Sequence, residues 1–169
     1  ELHTSRNADD QDEDAEEVLE RQTCLRRTAG HAVASIGKHL LRAPSKFSPV
    51  SFCDAMRSAL SRDGSLHRAS GLEAVGRLGP CGAQFFIDEV LLALADQDEQ
   101  VRWTATVASG QLLQPAVDDH ESNEQVEMHG ASALQIKKAA DALHHLVDND
   151  DEKVPIRMAA QDALQLVLM

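Results

Sequence analysis

The chain carries eight histidines and three cysteines, residue types that hold metals or act as nucleophiles when suitably spaced. His144 and His145 are adjacent. On a helix their side chains point about 100° apart, which makes sharing one ion difficult. His120-Glu121 and His129 fall near Asp118 and Asp119, a set that would make at most a loose ion site. No ligand spacing of a known type is present, and a solvated acidic loop is the plainer account. Cys24, Cys53 and Cys81 lie 29 and 28 residues apart, with no CxxC pair and no even-numbered disulfide framework. Free thiols point to an intracellular, reducing compartment, cytoplasm or organelle interior. Targeting itself is unreadable, because the chain begins with Glu1. No glycine-rich phosphate loop, nucleophile elbow or Ser/His/Asp spacing stands out. The expectation is a protein that is not an enzyme and has no metal or cofactor.

Residues suited to binding are more evident. Trp103 is the one tryptophan, the residue type most enriched at interface hot spots; packing against a neighbouring helix is its competing role. Arg26, Arg27, Lys38, Arg42, Lys46, Arg57, Arg62, Arg68 and Arg77 make the first half basic. Such a stretch over residues 26–77 could meet an acidic partner, the chain's own tail included, or nucleic acid. The arginines are scattered and lack interleaved aromatics, which argues against nucleic acid.

The elements that must position these residues are helices. Aromatics make up 3% of the chain and tyrosine is absent, so strand formers are scarce while Ala and Leu dominate. No run of 18 apolar residues occurs, so no transmembrane segment is expected. Charge divides the chain. Residues 1–20 hold nine acids against one arginine, and residues 21–80 hold ten basic residues against three acids. Residues 1–21 are expected to be an acidic, largely disordered or loosely helical tail. Residues 22–169 then form the folded domain, with an acidic insertion at 114–130. Apolar spacing predicts helices over 22–42, 50–62, 66–78, 83–96, 99–113, 131–147 and 153–168.

Several of these helices repeat. Aligned on Arg26, Arg68, Arg102 and Arg157, offsets 3, 6, 7 and 10 are small or apolar in nearly every copy. Those offsets trace one helical face, which lets a second helix approach closely. The copies are 34–42 residues apart once the insertion is discounted, which predicts a solenoid of helical hairpins. Offsets 1, 5 and 9 face outward. They nominate Arg27, His31, Glu73, Arg77, Trp103, Val107, Met158 and Asp162 as a partner-binding surface. The last helix ends Ala163-Leu164-Gln165-Leu166-Val167-Leu168-Met169. This apolar, uncapped end is expected to be covered by a partner or by further chain.

Residues 71–112 resemble a HEAT-repeat unit of the short kind also found in phycocyanobilin-lyase-like proteins. The resemblance rests on Asp96-x-Asp98-x-x-Val101-Arg102 and on the Ala74-Val75-Gly76-Arg77-Leu78-Gly79 ending, and extends over about residues 22–169. It implies an all-α fold, a right-handed α-solenoid of antiparallel helix pairs forming an armadillo-type superhelix. It also implies an inter-repeat ladder of Asp63, Arg68, Asp98, Arg102 and Arg157. Deoxyhypusine hydroxylases, enzymes of this repeat type, carry iron-holding His-Glu pairs at the start of their second helices. Here Arg68-Ala69, Arg102-Trp103 and Arg157-Met158 stand at those positions. The reading is therefore a non-catalytic interaction or scaffold module, a subunit of a larger assembly whose partners are other protein subunits. A lyase-like, pigment-handling role and nucleic-acid binding are the alternatives.

Overall fold

The computed structural model describes residues 9–42, 49–115 and 130–168. The first eight residues and the 116–129 part of the expected insertion, with His120, Glu121 and His129, lie outside the described residues. All regular structure among the described residues is helical: α1 (Asp9–Arg42), α2 (Val50–Leu60), α3 (Ser65–Gly76), α4 (Pro80–Ala93), α5 (Glu99–Leu113), α6 (Ala133–Asp148) and α7 (Val154–Leu168). None is long and apolar enough to cross a membrane.

Local chemistry accounts for the helix ends. The Asp98 carboxylate caps α5 by accepting from the backbone N–H groups of Gln100 and Val101 at 2.9 and 3.2 Å. Ser132 and Gln135 form a reciprocal capping box at the start of α6. Pro80 opens α4, where its missing N–H costs nothing. Gly79 just before it has φ 64° and ψ −156°, a backbone conformation open essentially to glycine alone. That residue turns α3 sharply into α4.

The helix α1 begins at Asp9, so it runs through the boundary expected near residue 21. Its sequence places eight acids in residues 9–20 and its basic residues after them. Acids toward a helix N-terminus and cations toward its C-terminus suit the macrodipole, which favours the longer helix.

Helices α2 and α3, α4 and α5, and α6 and α7 pair as hairpins. The odd-numbered helices pack in succession, α1 on α3, α3 on α5 and α5 on α7, while α2, α4 and α6 form a second succession. One apolar core runs between them, with Phe86, Leu72, Leu78, Ile87, Leu112, Leu143 and Ile156 fully buried. Small residues set the spacing of the odd row. A Cβ added at Gly76 would stand 2.9 Å from the Ala108 Cα, and one at Gly110 would stand 3.2 Å from the Ala163 Cα.

This contact gives a prediction of opposite signs for one substitution. Gly76→Ala forces α3 off α5 and should cost about 1–2 kcal/mol, overpacking exceeding the gain in helix propensity. Gly30→Ala meets nothing within 4 Å and should gain about 0.5–1 kcal/mol. Urea denaturation followed by circular dichroism measures both. A stabilised Gly76→Ala variant would show that the odd helices have room to separate.

The α1 packing register differs from the Arg26 alignment. Ala29, Ala32 and Ile36, three of its four small or apolar offsets, are exposed. Counted from Arg27 instead, offsets 3, 6, 7 and 10 are Gly30, Val33, Ala34 and Gly37, all buried or half-buried. The helix therefore docks one residue out of the expected phase.

Candidate functional site

The most ordered polar chemistry lies at the joints between hairpins. Arg68 opens toward the α4–α5 turn. Its Nε and Nη2 donate to the two Asp96 carboxylate oxygens, each at 2.9 Å, and its Nη1 donates to the carbonyls of Arg62 and Asp63. Arg102 repeats the arrangement one hairpin later. Its Nε and Nη2 donate to the Glu152 carboxylate at 2.8 Å each, and its Nη1 donates to the carbonyls of Asp96 and Gln97. Only a guanidinium offers this fork of donors, which is why arginine and not lysine stands at both positions. Asp63 thus contributes its backbone rather than its carboxylate, and the Asp98 carboxylate serves the helix cap. Arg157 donates to the fully exposed Asp150 at 3.2 Å.

A third joint joins the even-numbered row. Arg57 donates to Glu89 at 2.7 Å and to the Phe85 carbonyl at 3.0 Å, with its guanidinium 5.9 Å above the Phe86 ring. Electrostatics follow these contacts. The Arg68 hydrogen bonds hold the Asp96 carboxyl below its ordinary range, and those of Arg102 do the same to Glu152. Each guanidinium is in turn held more firmly protonated.

Arg57, Glu89, Arg68 and Asp96 border a cavity of about 270 Å³ whose apolar wall includes Leu60, Leu72 and Leu92. Its charged groups are paired with each other, Arg57 with Glu89 and Arg68 with Asp96, and these pairs fix the relative position of the hairpins. Among the described residues, no three His, Cys, Asp or Glu side chains are grouped to hold a metal. His144 and His145 are exposed on α6. Cys53 and Cys81 are buried, and that burial pushes both thiols up. Cys24 is exposed.

The nominated surface residues are spread over the odd-numbered row. Arg27 and His31 are exposed on α1. Glu73 and Arg77 are half-buried on α3 and paired at 2.5 Å, and the Arg77 Nη1 also donates to the Arg27 carbonyl at 3.2 Å. This brings Arg27, Glu73 and Arg77 together. Trp103 is 40% exposed on α5 and Met158 is 61% exposed on α7. Val107 is half-buried and Asp162 exposed. The equivalent of Trp103 on α3 is Ala69, which is buried. Offset 1 therefore faces outward on α5 and α7 but not on α3.

The joint roles of Asp96, Glu152, Arg57 and Glu89 escaped sequence reasoning. Asp96 had a signal. Asp98 directly precedes α5, which marks it as the cap and leaves Asp96 free for the arginine. No comparable mark distinguishes Glu152 from Asp150 and Asp151. The chain matches no protein-family model, no curated protein and no solved structure.

Proposed function

We propose that the chain is a right-handed α-solenoid of HEAT-like hairpins serving as a non-catalytic scaffold subunit of a larger protein assembly. The successive packing of odd and even rows supports the solenoid reading, as do the equivalent Arg68 and Arg102 joints. The observation that carries the function is the exposure of Trp103 and Met158 at the same offset on adjacent helices. Large apolar side chains in neighbouring outward positions are the anchors a protein partner buries. The Arg77–Glu73 pair on α3 supplies a charged flank. Val154 and Leu168, the first and last residues of α7, are also exposed.

Crosslinking of natively purified protein identifies the partner, and titration then tests the surface. Trp103→Ala should weaken partner binding roughly 30-fold, or about 2 kcal/mol, and Arg77→Glu should weaken it further. Because Trp103 is the one tryptophan, its emission should shift to shorter wavelength as the partner covers it. Unchanged affinity in the double variant, with no emission shift in the parent, would remove this surface from the reading.

A further inference from the structure

The helix α1 has a second apolar face that its packing leaves uncovered. Val18 (52% exposed), Leu25 (70%) and Ile36 (60%), with the exposed Ala29 and Ala32, fall on one stripe. At 3.6 residues per turn these five positions lie within about 60° of one another around the axis. The docked face, which includes Val33, Ala34, Gly37 and Leu41, is centred about a third of a turn away. Every described side chain from Val18 to Leu25 is exposed. Isolated helix of such length is marginal in water without an apolar partner.

Two properties of the stripe specify the partner. Its spacing is symmetric about residue 27: Val18 mirrors Ile36, Gln22 mirrors Ala32 and Leu25 mirrors Ala29. A second α1 laid antiparallel therefore matches large residue to large at the ends and Leu25 to Ala29 on both sides of the centre. Charge is divided along the same helix, with the sign changing between residues 20 and 21. Residues 9–20 hold eight acids and no base, while residues 21–42 hold five Lys or Arg and no acid. Antiparallel pairing centred on residue 27 sets residues 12–20, with six acids, along residues 34–42 of the second copy, which hold Lys38 and Arg42 and no acid. Parallel pairing sets acid along acid, which helices 8–10 Å apart feel strongly. Opposed macrodipoles favour the same orientation.

We infer that α1 is a self-association element, and that two copies of this chain pair antiparallel through the Val18, Leu25, Ala29, Ala32 and Ile36 stripe, centred near Arg27. The small Ala29 and Ala32 let the helices approach closely, with Leu25 of each copy packing over them. Trp103 and Met158 lie on α5 and α7 and not on α1, so the inference does not rest on that reading.

Light scattering of the full chain tests it. Twice the monomer mass is expected at micromolar loading, with dissociation increasing as salt is raised. Leu25→Glu with Ile36→Glu, both exposed sites, should return the monomer mass and raise the dissociation constant roughly 100-fold, with the circular dichroism of α2–α7 retained. Orientation is read by disulfide capture in a Cys24→Ala background. Protein carrying Leu25→Cys mixed with protein carrying Ala29→Cys should crosslink across the two, and neither alone should crosslink with itself, because like positions then stand more than 7 Å apart. A monomer at every loading, a dimer that survives the two glutamates, or self-crosslinking of either variant alone would each overturn the inference. So would a mass gain only with vesicles or other proteins.

Discussion

Replacing Phe86 by alanine should destabilise the fold by about 3–5 kcal/mol, the largest effect expected of any single core substitution. Phe86 is fully buried at the junction of the first two complete hairpins. The Phe52 ring meets it edge-on at 6.4 Å and the Phe85 ring lies at 6.3 Å. The Arg57 guanidinium covers its face at 5.9 Å. The chain has four phenylalanines and no tyrosine, so three of its few aromatic rings meet here. Removing the central ring takes away its burial, leaves a cavity between helices that are already closely spaced, and deprives Arg57 of its platform. The melting temperature should fall by roughly 6–15 °C for a chain of this size. Phe86→Leu preserves most of the volume and should cost under about 2 kcal/mol. A Phe86→Ala loss below about 1 kcal/mol would show that α2 and α4 collapse into the gap.

Glu152→Ala should cost about 2–4 kcal/mol, because it leaves Arg102 without the carboxylate that neutralises it. The Glu152 side chain is only 6% exposed and Arg102 is 20% exposed. The loss includes the bidentate contact and the Lys153 backbone N–H that Glu152 accepts at 3.1 Å. Glu152→Gln keeps the shape but not the charge and should fall between the two. The pH dependence has a definite sign. Folding lowers the carboxyl pKa of both Glu152 and Asp96. Their stabilisation is therefore fully present above their ordinary unfolded values, about 4.3 and 3.9, and is lost as pH falls through the lower folded values. Urea midpoints should hold level from neutral pH down to about 5 and drop below about 4. Glu152→Ala should flatten that acid decline. An equal acid slope in the variant would show that other carboxylates govern it.

Much of the helical layout is legible in the residue pattern, and the exceptions have physical causes. The α5 helix is expected over 99–113 and occupies Glu99–Leu113, because Asp98 caps one end and the apolar face fades at the other. The α4 helix starts three residues before the expected 83, since Pro80 favours a first helical position. The α1 register is not legible. Arg26 and Arg27 both precede runs of small and apolar residues, and only the packing against α3 chooses between them. The joints are half legible: arginine is the conspicuous partner, while its carboxylate is selected by turn geometry among several nearby acids. The outward positions are legible only where a copy follows the helical phase, as at Trp103 and Met158, and not at Ala69.

The two equivalent joints also differ in one respect with a consequence for the gene. Arg68 binds a carboxylate 28 residues further along the chain and Arg102 binds one 50 residues along, yet the two forks have matching geometry. The joint is thus indifferent to how much polypeptide separates its halves. Most of the difference falls in the connection from Gln114 to Ser132. Lengthening such a connection twofold adds only about 0.6 kcal/mol of closure entropy. For the gene, the consequence is that a difference in the length of coding sequence between the halves of the two joints leaves the alignment of the hairpins unchanged.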